Sequence, residues 1–207
     1  MNYNVIFSGI YSPRYEEKYN IIKKDIISNG YSVDCIKYKK LPQSYFQVKL
    51  GNGIKCRWCL KEDCTFIFHW GDACKIEHII ELCKNYKDKL IIYTDTDIKF
   101  NNLKSLHELV LIKLKDNDIV FQKNNAEATS RWISNINIGF NAFYATDKIL
   151  SFFLNVHSKM KTSKNQSNWD QQVVNLLLYN NPYIKYFLID NENYYTHFHY
   201  GYMMKTT

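Results

Sequence analysis

Short apolar runs alternate with longer amphipathic segments along this chain, and this alternation is the strongest constraint on its fold. Val5-Ile6-Phe7 predicts a first buried strand, and Ser12-Pro13 then predicts the start of a helix over residues 13–28 that ends before Gly30. A second strand is predicted over residues 31–38. A β-α-β start favours an α/β protein with a parallel, layered sheet.

The rest of the chain continues the same pattern. Further strands are predicted over residues 65–68, 89–92, 118–122, 140–144 and 185–189. Helices are predicted over residues 73–86, 103–114, 147–161 and 168–178. Residues 46–58 indicate a hairpin or paired loop, and residues 123–134 a polar loop. No repeat or Pro-rich linker interrupts the sequence, so we expect one domain over residues 1–207.

Composition excludes several classes of protein. Apolar residues make up 46% of the chain and aromatic residues 16%, which excludes a disordered protein. No apolar run approaches the roughly 20 residues of a membrane span, and the N-terminus has no secretory pattern. We therefore expect a cytoplasmic protein, in a host's cytoplasm if it is viral. The net charge of +7 suits phosphate-bearing partners, although codon bias in an AT-rich genome also explains the excess of lysine.

The segment from Tyr93 to Asp97 carries the clearest chemical signal. Asp95 and Asp97 directly follow an apolar run that predicts a buried strand. Residues two apart in extended backbone point the same way, so both carboxylates face one ligand. Carboxylate oxygens suit Mg²⁺ or Mn²⁺, and such an ion can bridge a protein to a diphosphate. Two solvated aspartates in a polar turn remain the alternative.

Further features follow in a fixed order after the β-α-β start. They are a helix bearing Lys75 that leads into Asp95-x-Asp97, then Asn137-Ile138-Gly139-Phe140, then Asp170-Gln171, and finally His197 and His199. This order resembles the GT-A fold glycosyltransferases, the nucleotide-diphospho-sugar transferases. The size and layout are also similar to compact transferase domains of large DNA viruses, including chloroviruses, that glycosylate capsid protein.

The resemblance implies a GT-A-like (Rossmann-like) α/β fold, with a mixed, mainly parallel central sheet flanked by helices. The N-terminal half would bind the nucleotide and the C-terminal half the sugar and acceptor. Asp97 would hold the Mn²⁺ or Mg²⁺ ion, and Asp95 would contact the ion or the donor ribose. His197 or His199 would complete the metal site.

The resemblance also implies roles around the donor. The first strand and its loop would hold the nucleotide base and phosphates through Phe7, Ser8, Gly9, Tyr11 and Arg14. Asn137 and Gly139 would line the sugar pocket. Asp170, in the Asp-Gln motif with Gln171, would contact the donor sugar or act as base on the acceptor hydroxyl. Arg57 is a further candidate for phosphate or sugar oxygens, since its planar fork suits them.

Each of these roles has a structural alternative. Asp170 follows Ser167 at the spacing of a helix capping box. The two histidines lie among aromatic residues and fit a packed cluster. Arg57 fits a surface stack on Trp58, and Asn137 and Gly139 fit the ordinary start of a strand. For Lys75 we expect a solvated position on its helix.

The predicted reaction is transfer of a sugar from a nucleoside diphosphate sugar, with UDP-sugar favoured by the resemblance, to a hydroxyl on a glycan or glycoprotein. The resemblance to viral transferases makes a capsid glycan one candidate acceptor. A metal-dependent nucleic-acid enzyme or binder is the main alternative, but the basic residues are scattered and form no recognition signature, so we expect no nucleic-acid partner. A non-catalytic sugar-nucleotide-binding module is a further alternative.

Overall fold

The computed structural model describes residues 4–41, 68–123, 135–162, 170–180, 182–190 and 194–197. Within these ranges the strands are β1 (Val5–Ser8), β2 (Ile10–Tyr11), β3 (Lys39–Lys40), β4 (Leu90–Thr94), β5 (Ile98–Phe100), β6 (Ile119–Lys123), β7 (Ile136–Tyr144), β8 (Tyr186–Ile189) and β9 (Tyr195–His197). The helices are α1 (Glu16–Ser28), α2 (Phe68–Asn85), α3 (Leu103–Lys113), α4 (Asp147–Thr162) and α5 (Asp170–Asn180).

A five-stranded mixed sheet lies at the centre of the described structure, in the order β1-β4-β7-β6-β8. The pairs β1–β4 and β6–β8 are parallel, whereas β7 runs antiparallel to both β4 and β6. Consequently β1, β4, β6 and β8 all point the same way, and β7 alone among these five opposes them. The prediction of a mixed, mainly parallel sheet flanked by helices is confirmed.

Helices cover both faces of this sheet because strand residues alternate between two cores. Ile91 and Phe121 pack with residues of α2, α4 and α5 on one face. Ile92 and Val120 pack with residues of α1 and α3 on the other. The result is a three-layer α/β/α arrangement, with the carboxyl ends of the four parallel strands at one edge.

The predicted strand over residues 31–38 is wrong over most of its length. Residues 33–35 form a 3-10 turn, in which Ser32 Oγ accepts a hydrogen bond from the Asp34 N–H at 3.2 Å and the Ile36 N–H donates to the Val33 carbonyl at 3.1 Å. A serine that bonds the backbone two residues onward favours a turn over a ladder. The chain becomes extended only after this turn, and residues 36–40 then run alongside β1 and β2.

The helix predictions are confirmed with small shifts at their ends. Helix α1 ends at Ser28, and Gly30 just beyond it has a φ of 88°, a conformation that glycine adopts without strain. The start of α2 differs more, because Phe68 was predicted in a strand and is the first helical residue. A short apolar run fits a strand or a buried helix equally well, and here the helical pattern extends towards the N-terminus.

Two further outcomes concern the periphery of the sheet. The antiparallel pair of β5 with β9 was not predicted. The predicted hairpin over residues 46–58 lies outside the described residues. So does the predicted polar loop over residues 123–134, except for Lys123, which is the last residue of β6. None of the helices in the described ranges combines the length and apolar character needed to cross a bilayer.

Candidate active site

The turn that carries Asp95 and Asp97 lies at the carboxyl end of β4. Every residue of β4 is buried, and the chain then turns through the two half-buried aspartates before β5 begins. The Asp95 backbone N–H donates a hydrogen bond to the Gly139 carbonyl of β7 at 2.7 Å. Open α/β sheets bind ligands at the carboxyl ends of their strands. The two predicted carboxylates therefore lie at the edge of the sheet where a ligand site is expected.

A bulge in β7 holds this turn in place. Consecutive residues of β6 pair with Asn141 and Asn137, so the β7 residues 138–140 leave the ladder with β6. The Asn137 side-chain carbonyl accepts a hydrogen bond from the Gly139 N–H at 2.8 Å, and the Asn141 amide donates to the Ile138 carbonyl at 3.0 Å. Side-chain amides thus satisfy backbone groups that the bulge exposes. Asn137 and Gly139, the predicted sugar-pocket residues, both belong to this bulge.

Lys75 of α2 connects the Asp95 turn to the start of α5. Its Nζ lies 2.9 Å from Asp95 Oδ1 and 3.5 Å from Asp170 Oδ2. The Lys75 and Asp170 side chains are only 13% and 7% exposed, so this contact is largely shielded from water. The prediction that Lys75 is solvated is wrong. Its spacing from the buried Ile79 and Leu82 places it on the apolar face of the helix, and that periodicity was the available signal.

Asp170 is the first residue of α5 and is almost fully buried. Its Oδ1 accepts a hydrogen bond from the Gln171 N–H at 2.6 Å. Its Oδ2 has no hydrogen-bond partner within the described residues. Ser167, the other member of the alternative capping box, lies outside the described ranges. Asp170 thus lies beside Lys75 and Gln171 follows it in α5, and the chemical roles of both residues stay predictions.

A single asparagine fixes α5 against β7. The Asn175 carbonyl accepts a hydrogen bond from the Ile136 N–H at 3.3 Å, and the Asn175 amide donates to the Ile136 carbonyl at 3.2 Å. Ile136 is the first residue of β7, five residues before the end of the bulge. The same stretch of β7 therefore anchors both the Asp95 turn and the helix that begins at Asp170.

Tyr93 lies beneath this charged cluster. Its side chain is fully buried, and its hydroxyl has no hydrogen-bond partner within the described residues. Burial raises the pKa of Tyr93 well above its usual value, Lys75 lowers it, and the Asp95 and Asp170 carboxylates raise it further. All three charges therefore act on the Tyr93 phenol. Sequence reasoning missed this residue because a tyrosine in a buried strand is ordinarily a packing residue.

The end of β1, where nucleotide binding is predicted, lies beside the Asp95 turn. Phe7 is a fully buried core residue whose ring packs edge-on against Tyr31 at 4.8 Å. A Cβ on Gly9 would lie 2.2 Å from the Thr94 carbonyl oxygen, so only glycine fits between the two strand ends. The Tyr38 hydroxyl is hydrogen-bonded to the Thr94 hydroxyl.

The other residues predicted to bind nucleotide lie close by. The Ser8 hydroxyl is fully buried, donates to the Lys37 carbonyl at 2.7 Å and lies 2.9 Å from Nε2 of His78. Tyr11 stacks on Tyr19 with ring centroids 4.4 Å apart. Arg14 lies in the 3-10 turn that precedes α1. His78, which was not predicted, joins α2 to the end of β1.

The predicted C-terminal histidines fall partly within the described structure. His197 is the last residue of β9, and the β5–β9 ladder pairs it with Ile98, the residue after Asp97. The C-terminal strand therefore runs alongside β5, which follows the acidic turn, and the metal-ligand role of His197 stays a prediction. His199 and Arg57 lie outside the described residues.

The acidic turn has the chemistry of a cation site. Asp95 and Asp97 offer carboxylate oxygens, the donors that Mg²⁺ and Mn²⁺ prefer. The Lys75 ammonium beside Asp95 indicates that this position stabilises positive charge. In the part of the chain whose side chains are described, no group of three His, Cys, Asp or Glu residues is arranged to hold a metal. Among the predicted metal ligands, Asp95 and Asp97 are thus the two whose described side chains suit such an ion.

A family model places this arrangement among known proteins. The model described as nucleotide-diphospho-sugar transferase matches residues 73–203, which include most of α2, the acidic turn, β7, α5 and β9. The chain belongs to the nucleotide-diphospho-sugar transferase family. No curated protein sequence matches it. The family predicted from the order of motifs is therefore confirmed.

Solved structures show the fold that this transferase shares. A glycosyltransferase involved in the glycosylation of the major capsid of PBCV-1 has a TM-score of 0.54 at 15% identity, covering 91% of this chain and 84% of that chain. The glycosyltransferase GlyE in Streptococcus pneumoniae TIGR4 also has a TM-score of 0.54 at 15% identity, covering 91% of this chain and 45% of that chain. The GT-A fold predicted for this transferase is confirmed by these likenesses.

Proposed function

We propose that this transferase is a metal-dependent glycosyltransferase that moves a hexosyl or deoxyhexosyl group from a UDP-sugar to a hydroxyl of a glycan or glycoprotein. The observation that carries the proposal is the position of Lys75 between Asp95 and Asp170 at the carboxyl edge of the sheet. Family membership makes the donor a nucleoside diphosphate sugar.

The reaction replaces one bond at the sugar's anomeric carbon with another. The acceptor oxygen bonds to this carbon while its bond to the diphosphate oxygen breaks, and the bonding electron pair leaves with the nucleoside diphosphate. The acceptor proton is lost, to Asp170 if the enzyme inverts the anomeric configuration. If the configuration is retained, Asp170 orients the donor sugar instead, and the acceptor proton passes to the oxygen of the leaving diphosphate.

The growing negative charge on the leaving diphosphate is the main catalytic demand. Asp95, Asp97 and a C-terminal histidine, with His197 favoured by its place in the ladder, would hold an Mn²⁺ or Mg²⁺ ion. Such an ion supplies electrostatic stabilisation of the diphosphate. Lys75 lies beside the same carboxylate and adds a second positive charge to this edge.

The nucleotide would lie at the end of β1, next to the acidic turn. Gly9 brings the backbone there within reach of Thr94, and the buried Tyr11 ring stacks on the half-buried Tyr19 beside it, so Tyr19 offers an aromatic ring to a base. The acceptor is proposed by analogy with the PBCV-1 neighbour, whose role in capsid glycosylation suggests a viral capsid glycan. Such an enzyme would act in the host cytoplasm.

A panel of nucleotide sugars with Mn²⁺ or Mg²⁺, read out as released nucleoside diphosphate, tests the proposal. We expect turnover of at least one UDP-sugar, and loss of about 100-fold or more in Asp97→Ala because an ion ligand is removed. The exposed Asp116 provides a matched control, and Asp116→Ala should keep full activity. Full activity of Asp97→Ala, or turnover that persists in a metal chelator, would refute the metal-dependent mechanism.

A further inference from the structure

Besides Nδ1 of His78, three buried polar atoms on one face of the sheet have no hydrogen-bond partner within the described residues. They are the hydroxyl of Tyr93, the side-chain carbonyl of Asn141 and Oδ2 of Asp170, the last of which has only the ionic contact with Lys75 at 3.5 Å. Other buried polar side chains nearby are bonded, as Ser8 is to the Lys37 carbonyl at 2.7 Å. Buried groups of this kind are paired in native proteins, and an unpaired one calls for a physical explanation.

The three atoms belong to side chains that point into the same region. Tyr93 and Asn141 are directly opposite in the antiparallel β4–β7 ladder, so their side chains project from the same face. Tyr93 packs in the core beneath α2 and α5, and its ring centroid lies 6.4 Å from that of His78. Lys75, one turn before His78 on α2, contacts Asp170. One donor, the Tyr93 hydroxyl, and two acceptors thus share this part of the site.

Within the described ranges the Tyr93 hydroxyl makes no hydrogen bond that would stabilise the fold. A phenylalanine would fill nearly the same volume, and it would avoid the cost of burying an unpaired hydroxyl. We propose that Tyr93 is a positioning residue for Asp170, whose Oδ2 accepts a hydrogen bond from the Tyr93 hydroxyl when the sugar donor is bound. This role rests on the proposed glycosyltransferase function.

The charge of Lys75 explains why a second donor is useful. In the free protein Lys75 is shared, at 2.9 Å from Asp95 and 3.5 Å from Asp170. A bound diphosphate attracts the same ammonium and weakens its hold on Asp170. A phenol is neutral, so its hydrogen bond orients the carboxylate without cancelling the negative charge that Asp170 needs as a base or as a sugar ligand.

The test compares Tyr93→Phe with Tyr31→Phe. Tyr31 is the matched control because its buried hydroxyl is bonded to His107 Nδ1 at 2.7 Å. For Tyr93→Phe we expect a melting temperature at or above that of wild type, because no hydrogen bond is lost. We also expect kcat to fall to about one tenth of the wild-type value or lower, while the donor KM stays within about twofold of wild type. For Tyr31→Phe we expect the reverse, a lower melting temperature and an unchanged kcat.

Each other outcome overturns the proposal. A Tyr93→Phe variant that melts lower than wild type, whatever its kcat, assigns the hydroxyl to the fold. A Tyr93→Phe variant with wild-type kcat would show that the hydroxyl has no role in the reaction. If the wild-type protein turns over no sugar nucleotide, the proposed function fails and this role fails with it. If instead the wild-type protein is active and only the Tyr93→Phe result differs from expectation, the Tyr93 role fails while the proposed function stands.

Discussion

At the scale of single residues, one ammonium group joins three elements of the structure. Lys75 reaches from α2 to the Asp95 turn after β4 and to Asp170 at the start of α5. Asp170 is almost fully buried, and the Lys75 ammonium lies 3.5 Å from its carboxylate. A buried charge of this kind needs a partner of opposite charge. The contact therefore holds the site together before any ligand binds.

Replacing Lys75 with methionine should destabilise the protein by about 3 kcal/mol, because it leaves buried carboxylates uncompensated. Lys87→Met is the control, since Lys87 and Asp147 form a pair at 3.1 Å with side chains 62% and 81% exposed. That variant should lose less than about 1 kcal/mol. Urea unfolding monitored by circular dichroism measures both losses.

The double variant Lys75→Met with Asp170→Asn sharpens this comparison. Removing the charge of Asp170 should recover part of the stability lost in Lys75→Met. Equal stability of Lys75→Met and Lys87→Met would mean that the buried contact contributes no more than a surface pair.

At the scale of secondary-structure elements, the first half of β7 acts as a common support. The Gly139 carbonyl in its bulge accepts the hydrogen bond from the Asp95 N–H. Its first residue, Ile136, donates one hydrogen bond to the Asn175 side chain of α5 and accepts another from it. The distance between the Asp95 turn and the start of α5 is therefore set by a few residues of one strand.

Replacing Asn175 with leucine should cost about 1–3 kcal/mol, because the backbone groups of the buried Ile136 lose their side-chain partner. It should also lower kcat, since α5 carries Asp170. Asn180→Leu is the control on the same helix. Like Asn175, Asn180 donates to the carbonyl four residues earlier, at 2.9 Å, but it is exposed and its change should alter stability by less than about 0.5 kcal/mol.

Thermal unfolding and steady-state kinetics on both variants decide the point. The proposed support is contradicted if Asn175→Leu and Asn180→Leu behave alike in both measurements.

At the scale of the whole molecule, two buried histidines make stability depend on pH. His78 joins α2 to β1 through Ser8, and His107 of α3 is bonded to Tyr31. Burial lowers the pKa of both His78 and His107 below the ordinary value of 6.5, while the neighbouring Glu81 and Glu108 oppose this shift. Each imidazole is therefore more easily protonated in the unfolded chain than in the folded one.

The sign of the pH effect follows from this difference. Above the unfolded-state pKa of about 6.5 both states are neutral, and the full stability is present. As pH falls below that value the unfolded state binds more protons, and stability declines by at most about 1.4 kcal/mol per pH unit for each histidine. His78→Gln retains an amide that can donate to Ser8 but removes the titration. Its stability should decline less than that of wild type between pH 7 and pH 5, as measured by urea unfolding at a series of pH values. Identical declines would show that His78 does not contribute.

Sequence patterns predicted the layers of this fold and most of its helices, because hydrophobic periodicity indicates directly which face of a segment is buried. They also placed Asp95 and Asp97 after a buried strand, as observed. They could not predict the contacts between segments that are distant in the sequence. The pairing of β5 with β9, the bulge in β7 and the burial of Lys75 all depend on which elements become neighbours. The roles of Arg57 and His199 stay predictions.

The bulge in β7 has a consequence for how this chain can vary in length. Side chains alternate between faces along a strand, so one residue inserted between Ile136 and Asn141 would rotate the following residues to the opposite face. Asn137 and Gly139 would then meet the wrong neighbours, and the Asp95 backbone would lose its acceptor. Homologous chains should therefore keep a constant number of residues across this short stretch, even where their side chains differ.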